Sequence, residues 1–115
     1  MSVQIYHNPR CSKSRQTLAL LQERGVEHDV ISYLESAPSQ SALKGLVAKL
    51  GLSSVREMMR TKEAVYKELS LKDETSEAAL IKAVANNPIL LERPIVVHGE
   101  RAAIGRPPEA VLEIL

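Results

Sequence analysis

The sequence predicts an α/β fold. Three observations carry this: a short alternating run at the start, a helical apolar face between Ser14 and Gly25, and compact β-branched runs after Pro94. Apolar and polar residues alternate through Val3, Gln4 and Ile5, and Asn8-Pro9 breaks the run, so a first strand ends near Tyr6. From Ser14 onward Leu18 and Leu21, with neighbouring Ala19 and Leu20, give a helical face, and Gly25 stops that helix where a C-cap is expected. Val30, Ile31 and Tyr33 form a second short strand. Cys11 therefore falls at the first strand-to-helix turn.

The middle of the chain reads as several short helices. Pro38-Ser39 opens a stripe of Leu43, Leu46, Val47 and Leu50, and Gly51 interrupts it. Val55, Met58 and Met59 form a second stripe; Ala79, Leu80, Ala83 and Val84 form a later one, with turns near Gly51 and Asp73. Pro94-Ile95-Val96-Val97 and Arg101 to Ile104 are the last two strands, joined by a hairpin turn at His98-Gly99-Glu100. Pro107-Pro108 then opens a final helix with Val111, Leu112 and Leu115 apolar. The order is β-α-β, helical insertion, β-β-α. It fits a mixed four-stranded sheet with flanking helices, the thioredoxin-like arrangement, as one domain over residues 1–115 with the insertion at about 39–87.

Composition narrows the function. With 115 residues the chain is long enough to remove roughly two-thirds of its unfolded surface from water, which supports one core. Hydrophobic residues at 44% and charged residues at 25% are the balance of an ordinary soluble protein, which excludes disorder as the main state. Phe and Trp are absent and Tyr occurs three times, so the core is expected to be aliphatic, and the composition argues against an aromatic platform for stacking bases. A net charge of +1 gives no pull toward nucleic acid or a membrane surface. No apolar run approaches membrane-spanning length, and the opening residues have no signal-peptide pattern. The expected location is the cytoplasm, a thiol-reducing compartment.

Cys11 is the single cysteine, so it forms no intrachain disulfide and no multi-cysteine zinc site. A lone cysteine is often a small buried hydrophobe. Its setting points elsewhere. Backbone N–H groups at a helix start favour a thiolate, though that alone contributes only about 0.3–1 kcal/mol. Arg10, Lys13 and Arg15 surround the cysteine, His7 precedes it, and no acidic residue occurs before Glu23. Cations at a helix N-terminus oppose the helix dipole, a misfit that makes sense if the terminus receives an anion, either the thiolate or a bound oxyanion. His7 can tune the thiol or cap the loop. A metal site is not expected, because the cysteine and the scattered histidines have no ligand spacing. Ser14 stands where the second cysteine of a Cys-x-x-Cys motif would be; it can hydrogen-bond a thiolate but cannot resolve a disulfide.

A second cluster is Arg93-Pro94 and Arg106-Pro107. Each arginine precedes a proline, which biases it to extended backbone, and both flank the terminal strands. The planar guanidinium fork suits tetrahedral oxyanions. Arg60 follows Met58-Met59 and can reach in from the helical insertion. The methionines themselves read as core filler.

Together these residues are recognisable. Tyr6-His7-Asn8-Pro9-x-Cys11-x-x-Ser14-Arg15 resembles the active-site loop of the glutaredoxin-coupled arsenate reductase family. Asn87-Pro88-Ile89-Leu90, Arg93 to Val97, Arg106-Pro107 and Val111 to Leu115 are similar to that family's C-terminal block, and the likeness extends through Tyr33-Leu34-Glu35. The resemblance implies a thioredoxin-like fold with a helical insertion. It implies Cys11 as the nucleophile that attacks arsenic, His7 lowering the thiol pKa, and Ser14 supporting the sulfur. Arg60, Arg93 and Arg106 would hold the oxyanion, and Pro94 would be the cis-proline facing the thiol. Glutathione and glutaredoxin would supply electrons, with no bound cofactor. Ser12-Lys13, with Arg10 before the cysteine, departs from the Gly-Thr that follows the cysteine in the well-known reductases, and the sequence stops at Leu115 where those enzymes continue, so it resembles a short, arsenate-reductase-like subgroup.

Two other functions fit the same fold. A redox-sensing transcription regulator that binds RNA polymerase commonly uses Cys-x-x-Cys, which Cys11-Ser12-Lys13-Ser14 lacks. A glutathione-dependent thiol transferase would need no oxyanion site.

Overall fold

A computed structural model of the chain describes residues 3–92 and 94–115. The chain divides into two compact units, one of Met1–Ser36 with Arg93–Leu115 and one of Ala37–Glu92.

The first unit carries the sheet. Strand β1 (Val3–Tyr6) leads through a loop to helix α1 (Ser12–Glu23), then to β2 (His28–Ile31); β3 (Ile95–His98) and β4 (Arg101–Ile104) complete a four-stranded sheet in the order β2-β1-β3-β4. Strand β1 runs parallel to β2, with Ile5 opposite Val30, and antiparallel to β3, with Ile5 opposite Val96. The sheet is therefore mixed. As an interior strand β1 has both edges satisfied, and its apolar residues Val3, Ile5 and Tyr6 are buried. Val3, Ile5, Leu21, Val96 and Val111 form the aliphatic core, with Leu18, Leu20, Val26, Ala103 and Ile114 packed against it.

Helix α1 ends as its glycine predicts. Gly25 has φ +65°, its N–H bonds Gln22 O at 3.1 Å, and the Val26 N–H reaches back to Leu21 O at 3.1 Å. That pair of bonds is the Schellman closure, which needs a left-handed residue at this position. The buried face of α1 differs from the apolar face expected. Ser14, Thr17 and Leu21 are buried while Ala19 is exposed. Two polar residues occupy the inner stripe because hydrogen bonds satisfy them, Ser14 in the loop and Thr17 through the Lys13 carbonyl at 2.9 Å.

Three further elements differ from expectation. β2 ends at Ile31, and Tyr33 is buried in the turn beyond it. The hairpin loop is only Gly99-Glu100: His98 pairs with Arg101 inside the sheet, and Gly99 takes φ +63°, the positive dihedral that a two-residue hairpin requires. The final helix, Pro108–Ile114, is 3-10 rather than α. Its three-residue turn brings Val111 and Ile114 into line, so these face the core and Leu115 stays exposed.

The second unit is helical: α2 (Gln40–Lys49), α3 (Ala64–Glu68) and α4 (Glu77–Asn86), with short 3-10 turns at Val55–Met58, Leu71–Asp73 and Pro88–Leu90. Ser39 caps α2 and Ser76 caps α4, each accepting from a backbone N–H. Leu43, Leu46, Val55, Met58, Leu80 and Val84 are buried where α2 meets α4. Met59 does not continue the Val55–Met58 turn; its backbone is extended and pairs antiparallel with Leu91. No helix among the described residues is long and apolar enough to cross a membrane.

Candidate active site

The site begins where β1 ends. Each residue of the loop from His7 to Cys11 is tied by a specific bond. The His7 N–H donates to Ile31 O at 2.9 Å, which extends the β1–β2 ladder by one step. Asn8 is buried. Its N–H donates to Ser14 Oγ at 3.0 Å, its Oδ1 accepts from the Arg10 N–H at 2.9 Å, and its carbonyl accepts from the Cys11 N–H at 3.0 Å. The Arg15 guanidinium returns from α1 to Pro9 O at 2.8 Å. This is a turn built around an asparagine, which suits a side chain able to mimic backbone groups.

Cys11 is the N-cap of α1, with extended backbone (φ −94°, ψ 123°), and its side chain is partly exposed. Its carbonyl accepts the first helical bond, from the Arg15 N–H at 3.0 Å. The first turn contains no acidic residue. Arg106 Nη2 lies 3.6 Å from Cys11 Sγ. The thiol thus faces both the positive end of a helix and a guanidinium, an environment that favours the thiolate.

His7 and Ser14 are both buried, and His7 Nδ1 lies 2.6 Å from Ser14 Oγ. Burial lowers the His7 pKa below its ordinary value, and the Arg15 charge lowers it further. The ring is therefore neutral near pH 7 and contributes no positive charge there. Its contact is with Ser14, which in turn holds Asn8 at the base of the thiol loop. A groove of about 400 Å³ runs beside the loop, lined by His7, Asn8, Arg10, Ser32, Leu34 and Glu35 among others.

Of the arginines singled out, Arg106 is the one whose bond to Cys11 is described. Arg93, and with it the Arg93–Pro94 peptide bond, lies outside the described residues. The Arg106–Pro107 bond is cis. Arg60 belongs to the helical unit. Its Nε is 2.9 Å from Glu63 and its Nη1 is 3.4 Å from Glu92. The antiparallel bridge between Met59 and Leu91 explains this pairing, since it sets the two extended segments side by side. Among the described residues no group of three His, Cys, Asp or Glu side chains is placed to hold a metal ion.

The sequence reading passed over Asn8, Thr17 and Gly105. Asn8-Pro9 was visible as a turn signal, but only the fold shows the asparagine bonding three ways. Neither Thr17 nor Gly105 carries a local signal in the sequence.

Comparison with known proteins places these features in a family. The sequence model of the ArsC family matches residues 6–114. An arsenate reductase of Haemophilus influenzae is 53% identical over 116 residues, covering all of both chains. The Escherichia coli K12 protein YfgD, named as uncharacterized, is 59% identical over 98% of this chain and 96% of its own. The solved structure of an arsenate reductase from Vibrio cholerae superposes with a TM-score of 0.97 at 59% identity, covering 100% of this chain and 98% of that one.

Proposed function

The chain belongs to the ArsC family, and from that premise we propose that it reduces arsenate to arsenite with Cys11 as the nucleophile. The observation that carries the reading is the 3.6 Å approach of Arg106 Nη2 to Cys11 Sγ, at the start of a helix with no acidic residue in its first turn. A thiolate held in this way attacks arsenic while the same positive field receives the oxyanion. Arg106, Arg60 and Arg93 are the ligands of that oxyanion. His7 and Ser14 hold the loop that carries the thiol.

The reaction needs two electrons. Arsenate loses one oxygen as water and two thiols become one disulfide. Cys11 is the first thiol, and the chain has no other cysteine. The second is external. Glutathione is a small anionic thiol suited to the basic surroundings of Cys11, and the groove along His7, Asn8 and Arg10 leaves a way in. Glutathione attack leaves a mixed disulfide on Cys11, which glutaredoxin then reduces by thiol–disulfide exchange. No resident cofactor takes part, and the cytoplasm is the compartment that keeps both donors reduced. Arsenite release from arsenate, measured with glutathione and glutaredoxin present, tests the whole reading. Wild type should turn over and Cys11→Ser should not; equal rates would overturn it.

A further inference from the structure

Gly105 is the residue before Arg106, and its requirement is space rather than dihedral freedom. The glycines at positive φ are Gly25, Gly51 and Gly99. At Gly25 and Gly51 an added Cβ would meet nothing within 4 Å. At Gly105 it would stand 2.5 Å from Thr17 Oγ1, 3.3 Å from Thr17 Cγ2 and 2.7 Å from Pro94 Cγ. The approaches to Thr17 Oγ1 and Pro94 Cγ are closer than a Cβ comes to any neighbour in folded proteins, so the chain after β4 leaves no room for a side chain against Thr17.

The surrounding bonds fix both sides of this contact. The Gly105 N–H donates to Pro94 O at 2.8 Å, and the Arg106 N–H closes a tight turn onto Ile104 O at 2.9 Å. On the helix side Thr17 is buried, and its hydroxyl donates to Lys13 O at 2.9 Å. Thr17 lies within the first two turns of the helix that Cys11 caps, so the two move as one rigid piece. The separation of Thr17 and Gly105 therefore sets how far Arg106 stands from Cys11.

We propose that Gly105 and Thr17 are positioning residues for the thiol. Their contact at minimum separation delivers the Arg106 guanidinium to the Cys11 sulfur. Any side chain at 105 forces β4 and α1 apart, withdraws Arg106 and leaves a less acidic thiol. The proposal rests on the reading that Arg106 stabilises the Cys11 thiolate, and it explains why that bond exists at all between two distant parts of the chain.

The test is the pH profile of Cys11 alkylation by iodoacetamide in the full chain, for wild type, Gly105→Ala, Arg106→Ala and the double variant. Gly105→Ala should move the midpoint upward and slow alkylation at pH 7 by about threefold to tenfold. Arg106→Ala should do at least as much. The double variant should match Arg106→Ala alone, because Gly105 acts only through the arginine. A folded Gly105→Ala with an unmoved midpoint, beside an Arg106→Ala that shifts it, overturns the proposal and leaves the role of Arg106 intact. So does a shift in the double variant equal to the sum of the two. An unmoved midpoint in Arg106→Ala overturns the reading beneath it as well. If Gly105→Ala does not fold, Thr17→Ile enlarges the same contact from the helix side and is compared in the same way.

Discussion

Ser14 Oγ stands 2.6 Å from His7 Nδ1, and the two buried side chains join the end of β1 to the first turn of α1. The same oxygen accepts the Asn8 N–H at 3.0 Å, so one hydroxyl holds both ends of the loop that presents Cys11. Removing it strands a buried imidazole nitrogen and a buried amide. Ser14→Ala should destabilise the fold by about 1–3 kcal/mol, read from urea unfolding. A loss below about 0.5 kcal/mol, the range of an ordinary surface substitution, would show that water replaces the hydroxyl without penalty.

His7 makes stability depend on pH. Burial, then the Arg15 charge, lowers its pKa in the folded chain, so the unfolded chain binds the proton more readily. Stability therefore rises with pH between the lowered folded value and the ordinary value near about 6.5, and falls as the solution is acidified through that window. His7→Asn keeps a polar atom near Ser14 but does not titrate. Its thermal midpoint should be flatter than wild type below about pH 6.5. Parallel curves for the two proteins would assign the acid sensitivity elsewhere.

The Cys11 thiol should be acidic and accessible. Alkylation by iodoacetamide should have its midpoint below the value of about 8.5 for an ordinary thiol. A midpoint at or above that value, or labelling only after denaturation, would make Cys11 a structural thiol.

Anion binding should separate the arginines. Calorimetric titration with arsenate or sulfate should show Arg106→Ala weakening binding by about 1.5–3 kcal/mol, the value of a hydrogen bond to a charged group. Arg60→Ala should fall at the low end of that range, because Glu63 and Glu92 already occupy its guanidinium and an entering oxyanion must compete with them. Unchanged affinity in both variants would leave the two arginines as surface residues.

Oxidation in the presence of glutathione should give a single adduct on Cys11, reversed by glutaredoxin and visible by mass spectrometry. A disulfide-linked dimer as the main product, or turnover without added thiol, would replace the external thiol with a second protein molecule.

The sheet was legible because its cues are local. Val3 to Tyr6, Ile95 to Val97 and Arg101 to Ile104 show their β pattern within a few residues, and Gly25 marks the end of α1 because it takes the left-handed dihedral other residues avoid. Cys11 was legible for the same reason: strand, turn and basic helix start are neighbours in sequence. What escaped depends on distant partners. The buried face of α1 includes Thr17 because a glycine more than eighty residues later lies against it, and no periodicity records that. The Met58-Met59 pair reads as one helical stripe, yet Met59 leaves the turn for an extended bridge with Leu91 while its side chain stays buried. The carboxylates on Arg60 were hidden likewise: Glu63 is close in sequence, but Glu92 arrives only through that bridge.

The sulfur and its guanidinium are 95 residues apart along the chain. On a ribosome Cys11 leaves the exit tunnel long before Arg106 has been translated. Strand β1 likewise waits for β3, which is made after the helical unit, to cover its second edge. Throughout elongation Cys11 thus lacks the guanidinium that, on the proposed reading, favours its thiolate. The guanidinium reaches the sulfur only when the closing hairpin docks, so on the proposed reading a truncated or stalled chain carries Cys11 without its activating partner.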